Sequence, residues 1–295
     1  MVRRFHLANE APHLEFSDPF DRADQAPLNS PLATGLAALD MLIAGVPDVG
    51  IVTIAGRPAM GSTALALQVA ITAAELTCRP VLVASLGDSA VSMAIRAASL
   101  LVARPKGGQH GESAGARPRA SAIHTDRLSR LRARGFAIKD QLELASNGLR
   151  ETLSDIQSSC GSTPAVTVVD RGDLLSDSVG YSRRDADSGP CAHAQWLYRL
   201  SREFNTRIVA TARVDKRVEC RADRRPSLGD LTPESMTLAL ASEATLIAYR
   251  DEVYDDDSPD RGWGEIAVCS NRWGPVGRTR IRFEKGQWSE ATLPA

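Results

Sequence analysis

The chain is short of the residues that mark several large classes of protein. Its five cysteines among 295 residues are odd in number and form no Cys-x-x-Cys pair, and its five histidines are scattered. This distribution argues against a disulfide framework or a zinc site and favours reduced thiols. No apolar run reaches the about 18 residues of a membrane span, and residues 1–16 lack a signal-peptide core. We therefore expect a cytoplasmic protein with no membrane contact.

An excess of charge of either sign is also absent. The formal net charge is −1, so nucleic acid would have to bind at a local basic patch. With 43% hydrophobic and 24% charged residues, the composition is that of a globular protein. The length is sufficient for one large α/β domain.

The most informative stretch is Gly50–Ala74, where an apolar segment, a glycine-containing loop and an Ala/Leu-rich segment follow one another. This is the order of a strand, a phosphate-binding loop GxxxxGK[ST] and a helix. Gly56 and Gly61 have the required spacing, Thr63 occupies the position of the Mg²⁺-binding hydroxyl, and Ser62 replaces the lysine. Backbone N–H groups and the helix dipole can bind phosphate without that lysine. An ordinary strand, turn and helix with no ligand is the alternative.

Alternating apolar and helical segments predict a mainly parallel α/β sheet with an antiparallel C-terminal extension. Strands are predicted at Ile51–Ala55, Val81–Leu86, Ala165–Asp170, Arg207–Ala212, Ala244–Tyr249, Gly264–Ser270 and Gly277–Phe283. Helical segments are predicted after the glycine loop and at Leu32–Leu42, Ala90–Ala103, Asp126–Gly135, Ile138–Cys160 and Ala194–Phe204.

Residues 31–290 are expected to form this domain, with other segments outside its sheet. Residues 1–30 are polar and contain proline, which predicts a loosely ordered arm, and residues 291–295 form a tail. Residues 104–121 are rich in Gly, Pro and Arg, which predicts a mobile basic insertion on the surface. Its basic residues would contact a nucleic-acid backbone or simply be solvated.

The predicted strand VTVVD ends in Asp170. Folds with a phosphate loop place a carboxylate at this position to hold Mg²⁺ through water. Thr63 and Asp170 are therefore the candidate metal-binding residues.

Seven stretches line up in order with one protein family: TGLAALD, AGRPAMGST, VLVASL, VTVVD, RRPSLGDL, YRDEVY and NRWGPVG. Together they resemble the C-terminal motor domain of bacterial replicative DNA helicases of the DnaB type, over roughly residues 32–288. The resemblance implies a RecA-like P-loop NTPase fold that binds ATP or ADP with Mg²⁺. It also implies single-stranded DNA as a partner, and a ring or mixed oligomer formed with itself or with a replicative helicase. The family's primase-binding helical collar has no counterpart in this sequence.

The resemblance also implies roles for individual residues. In the family's phosphate loop the lysine position holds Ser62, and the other residues match at Gly56, Arg57, Pro58, Gly61 and Thr63. The metal-binding aspartate matches Asp170. The finger arginine, which reaches into the neighbouring subunit's site, matches Arg272; a plain surface arginine of a β-turn is the alternative there.

Four chemical groups of the family are missing from this sequence. The phosphate-loop lysine, the water-polarising glutamate, the phosphate-sensing glutamine and the finger lysine are replaced by Ser62, Gly87, Arg213 and Ser270. Asp88 is a weak candidate for the base, because a shift of one residue at a strand end turns a side chain elsewhere.

These losses predict a stand-alone pseudo-helicase associated with DNA replication, which binds nucleotide and hydrolyses it very slowly or not at all. The first alternative is an active ATP-dependent helicase in which Arg57, Arg213 or another cation replaces the lysine. The second is a purely structural interaction module.

Basic loops after the third and fourth predicted strands are the candidate DNA-binding segments. In the family, such loops line the central channel of the ring and grip single-stranded DNA. The matching residues here are Arg183, Arg184, Lys216 and Arg217. A solvated charged loop is the alternative.

Overall fold

The structure, a computed structural model, describes residues 31–101, 120–140, 148–175 and 192–290. The predicted arm and tail, and all but the last two residues of the predicted insertion, lie outside the described residues. Those last two residues belong to a helix, Ala120–Ala133.

One mixed sheet organises the described part of the chain. Its strands are β1 Gly50–Gly56, β2 Val81–Ser85, β3 Phe136–Asp140, β4 Val166–Asp170, β5 Arg207–Arg213, β6 Ala244–Tyr249, β7 Trp263–Asn271, β8 Gly277–Glu284 and β9 Gln287–Ser289. They lie in the order β3-β2-β4-β5-β1-β6-β7-β8-β9. The pairs from β3 to β6 are parallel and those from β6 to β9 are antiparallel. This confirms the predicted fold class.

Helices cover the sheet and bury it in two apolar layers. They are α1 Ala37–Ile43, α2 Ser62–Leu76, α3 Ala90–Leu100, α4 Ala120–Ala133, α5 Gly148–Cys160, α6 Ala192–Glu203 and α7 Pro233–Ala241. Every residue of β1 is buried, with Val52 and Ile54 in one layer and Ile51 and Ala55 in the other. Successive side chains of a strand point to opposite faces, so a central strand of a covered sheet is apolar throughout.

The prediction of one helix over Ile138–Cys160 is wrong. Phe136–Asp140 forms β3, which pairs in parallel with β2, and the helix α5 covers Gly148–Cys160. Most residues of β3 are only half-buried because it lies at the edge of the sheet, so its sequence lacks the continuous apolar run of a central strand.

Helix α7 and strand β9 have no counterpart in the sequence prediction. The start of α7 carries a recognisable signal, since Thr232 accepts a hydrogen bond from the Ser235 N–H and Pro233 occupies the first turn. Strand β9 has only three residues, which is too few for a period of two to be recognised.

No helix of the described segments is long and apolar enough to cross a membrane. In the same part of the chain, His, Cys, Asp and Glu side chains form no group of three that could hold a metal ion.

Candidate functional site

The loop between β1 and α2 has the predicted strand–loop–helix geometry. β1 ends at Gly56 and α2 begins at Ser62, with Gly61 as its N-cap at a φ of 91°. No described side chain caps this helix, so the N–H groups of its first turn are left for an anion or water. The backbone features of a phosphate site are therefore present although the lysine is absent.

The C-terminal strands pack directly on this loop. A Cβ atom on Gly61 would lie 2.7 Å from Cε2 of Phe283, so both its φ and the space around it require glycine. The Trp288 indole Nε1 donates a hydrogen bond of 3.0 Å to the Gly61 carbonyl. Arg250 donates to the Ala59 carbonyl (2.7 Å) and stacks over the Phe283 ring. These contacts hold the loop in one conformation.

Thr63 and Asp170 lie together, as a Mg²⁺-nucleotide site requires. The Thr63 hydroxyl donates to Asp170 Oδ1 at 2.8 Å, and the Thr211 hydroxyl donates to the same oxygen at 2.9 Å. Burial raises the pKa of Asp170, and the two hydroxyl donors oppose that shift. A hydroxyl and a carboxylate beside an uncapped helix N-terminus fit the magnesium ion and phosphates of a nucleotide.

Sequence reasoning missed Thr211. Thr211 lies near the end of β5. Because β4 and β5 are neighbours in the sheet, their carboxyl ends meet, and this brings Thr211 close to Asp170.

Another side chain fills the space beside Gly87, the position that the resemblance assigns to the base. A Cβ on Gly87 would lie 2.7 Å from Cγ of Arg171, so a glutamate there would have to displace that arginine. The neighbouring Asp88 carboxylate forms an ion pair of 2.7 Å with Arg96. The weak candidate base is thus engaged by a cation.

The loop and the surrounding strand ends line one cavity of about 580 Å³, which is large enough for a drug-sized ligand. Six cationic side chains line it: Arg57, Arg96, Arg171, Arg213, Arg250 and Lys285. Arg57, a predicted phosphate-loop residue, bonds Glu219 at 2.8 Å and the Val214 carbonyl at 3.3 Å.

Arg272 lies beside the amino-terminal ends of the parallel strands, whereas the cavity lies at their carboxyl ends. Its neighbour Asn271 pairs with Ala244, which is level with Val52, four residues before the end of β1. At about 3.3 Å per residue this separation is about 13 Å along the strand. The exposed Arg272 donates to the Leu240 carbonyl at 3.3 Å. It therefore cannot serve the cavity of its own chain.

Two of the predicted DNA-binding residues can be located. Lys216 and Arg217 lie on a short 3-10 helix, Lys216–Cys220, and both are exposed. Arg217 is 91% exposed, with Asp215 3.9 Å away. Arg183 and Arg184 lie outside the described residues.

Comparison with known proteins identifies the family. The family model for the DnaB-like helicase C terminal domain matches residues 31–289. The chain belongs to this family. It is 28% identical over 262 residues to the replicative DNA helicase DnaB of Haemophilus influenzae, covering 88% of this chain and 54% of that protein. The chain therefore spans about half the length of the curated relatives it matches.

Solved structures of this family share the fold. A DnaB-like replicative helicase superposes with a TM-score of 0.70 at 22% identity, over 94% of this chain and 68% of that one. A solved ATPase domain gives 0.69 at 21% identity, over 92% of this chain and 95% of that domain. The DnaB-like domain therefore has the RecA-like α/β fold predicted from its sequence.

Proposed function

We propose that this DnaB-like domain binds ATP or ADP with Mg²⁺ in the cavity beside Gly61 and hydrolyses ATP very slowly or not at all. It acts as a pseudo-helicase in DNA replication, assembled with itself or with a replicative helicase. The observation that carries the proposal is that the residues for binding nucleotide are retained while those for hydrolysis are lost. The phosphate loop and the Thr63–Asp170 pair are retained, whereas Ser62 and Gly87 remove the lysine and the base.

An active helicase is the second candidate, and the cations of the cavity favour it. An arginine from another strand can neutralise phosphate charge in place of the lysine, but it does not supply the base that activates water. A purely structural module is the third candidate. It would require that the uncapped N-terminus of α2 and the cavity bind no nucleotide.

Calorimetric titration with Mg²⁺-ATP tests the proposal. Wild-type protein is expected to bind one nucleotide per chain, and Thr63→Val is expected to weaken binding in the presence of Mg²⁺ more than in EDTA. Thr77→Val is the matched control, because Thr77 lies at the far end of α2 and its hydroxyl bonds backbone groups there, the Ala73 carbonyl and the Arg79 N–H. An absence of binding by the wild type would favour the structural module.

Restoring the lysine is expected to strengthen nucleotide binding. Ser62→Lys should lower the Kd for Mg²⁺-ATP by about tenfold, because one charge-assisted hydrogen bond to phosphate is regained. The same titration measures this change, with Ser99→Lys on α3 as a control for added charge at the cavity wall. An unchanged Kd in Ser62→Lys would mean that the loop is not a phosphate site.

Single-stranded DNA is expected to bind through Lys216 and Arg217, and affinity should fall steeply as salt rises. Lys216→Ala/Arg217→Ala should flatten the slope of log K against log salt by about one unit or more, because fewer counterions are released. Fluorescence anisotropy with a labelled oligonucleotide measures the slope. Arg199→Ala/Arg202→Ala removes the same charge from exposed positions of α6. Equal slopes in both double variants would reject the DNA site.

Arg272 is proposed to act on the site of a neighbouring active subunit. A finger arginine stabilises transition-state charge and can do so in trans. Mixing the protein with the replicative helicase of the same cell is expected to change the helicase's ATP turnover, and Arg272→Ala should abolish that change. The measurements are co-elution and phosphate release. An equal effect of wild type and variant would exclude the finger role, and a failure to co-elute would exclude the mixed assembly.

A further inference from the structure

Two cavity arginines are held by one buried carboxylate. The Asp173 side chain is 1% exposed. Its Oδ1 accepts a hydrogen bond of 3.1 Å from Nε of Arg171, and its Oδ2 accepts one of 2.7 Å from Nε of Arg213. Nη2 of Arg171 also donates to Asp173 Oδ2, at 3.5 Å, whereas Arg213 is held by Asp173 through Nε. Both arginines line the cavity.

Both arginines lie next to the phosphate loop and the metal-site carboxylate. Arg213 ends β5 and is the register partner of Gly56, the first glycine of the loop. Arg171 follows Asp170 directly, with a φ of 63° that is uncommon for a residue other than glycine. Its N–H donates to the Thr211 hydroxyl at 2.8 Å, which helps to hold this conformation.

These two arginines differ from the other cavity arginines in their ion pairs. Three other cavity arginines each have a carboxylate of their own: Arg57 with Glu219, Arg96 with Asp88, and Arg250 with Glu252. Arg171 and Arg213 share Asp173, so neither has a carboxylate of its own among the residues that the structure describes. Nη1 of Arg171 and both terminal nitrogens of Arg213 donate no hydrogen bond within the described part of the chain. A guanidinium has five N–H donors and is suited to phosphate.

We propose that Arg171 and Arg213 bind the terminal phosphate of a nucleoside triphosphate, and that Asp173 positions them. This rests on the proposed nucleotide binding at the same cavity. The two arginines, which lie at the ends of β4 and β5, supply the positive charge that the phosphate-loop lysine would otherwise provide. The site therefore distinguishes a triphosphate from a diphosphate, because only the former reaches both guanidinium groups.

The arginine site and a catalytic glutamate exclude one another. Arg171 occupies the space that a side chain at position 87 would need. Gly87 thus permits Arg171 to lie beside the phosphates. With glycine at position 87, the site lacks a glutamate that activates water and instead has room for Arg171, which holds the terminal phosphate.

Calorimetry with two Mg²⁺-nucleotides tests the proposal: the β,γ-imido analogue of ATP, which does not depend on hydrolysis, and ADP. Wild type is expected to prefer the triphosphate analogue. Arg171→Gln and Arg213→Gln should each weaken its binding about ten- to a hundredfold, the effect of one charged hydrogen bond, and leave ADP binding unchanged. Arg202→Gln, an exposed change on α6, should alter neither Kd.

A steric variant tests the site without altering either arginine. Gly87→Ala introduces a Cβ that displaces Arg171, so it should reduce the triphosphate preference as Arg171→Gln does. Gly229→Ala is the control, because a Cβ there meets no atom closer than 4.0 Å. A preference retained in Gly87→Ala would overturn the role of Arg171.

The outcomes separate this inference from the proposed function. If the wild type binds neither nucleotide, the proposed function fails and the arginine site with it. If both nucleotides bind and the arginine variants leave their ratio unchanged, nucleotide binding stands and the arginine site is overturned. A loss of preference in Lys285→Gln alone would assign the role to that lysine and overturn the arginine site as well.

Discussion

Incubated with Mg²⁺-ATP and single-stranded DNA, the protein is expected to release phosphate no faster than buffer does. A positioned base contributes about 10²–10⁴-fold to such a reaction, and a group that stabilises transition-state charge about 10²–10³-fold. Gly87 provides no base, and Asp88 is bound to Arg96. The two contributions are not additive, yet losing even part of both leaves little turnover.

Asp170→Ala distinguishes true inactivity from slow catalysis. It removes the carboxylate that bonds Thr63, so any turnover belonging to this cavity must disappear with it. In an inactive protein the variant and the wild type give the same background. DNA-stimulated phosphate release that Asp170→Ala abolishes would contradict the prediction and favour the active helicase.

Trp288→Ala is expected to lower the free energy of unfolding by about 3–5 kcal/mol, the usual cost of truncating a fully buried tryptophan. Trp288 is 0% exposed and packs edge-on against Phe283, with ring centroids 4.8 Å apart. It also bonds the Gly61 carbonyl, so the phosphate loop should loosen with the core. Urea unfolding followed by circular dichroism measures the change.

Trp273→Ala is the matched control for that variant. Trp273 is 74% exposed, and its indole Nε1 donates a hydrogen bond of 2.8 Å to Glu243. Its truncation should cost less than about 1 kcal/mol. Equal costs at the two tryptophans would show that strands β8 and β9 do not support the loop as described.

The local parts of the site could be predicted from the sequence. The spacing of Gly56, Gly61 and Thr63 depends on neighbours in the chain, and a strand ending in Asp170 is a pattern of five residues. Their contact through the Thr63 hydroxyl follows once the strands are parallel, because the carboxyl ends of parallel strands meet at one edge.

The remaining parts depend on residues that are distant in sequence. The bond between Asp173 and Arg213 joins positions 40 residues apart, and the conflict between Gly87 and Arg171 joins two different strand ends. Neither contact produces a periodic pattern in the sequence. The resemblance implies that a glutamate is replaced by Gly87, but only the packing shows which side chain occupies the space beside it.

Equilibrium dialysis against ATP labelled in both the adenine and the γ-phosphate tests the central claim most directly. After equilibration, chromatography identifies the nucleotide retained by the protein. We predict one equivalent per chain, with both labels present in equal amount because the bound molecule is intact ATP. Retention of the adenine label without the γ-phosphate label would show hydrolysis at this site, and retention of neither would show that the cavity is not a nucleotide site. Either result would contradict a domain that binds ATP without hydrolysing it.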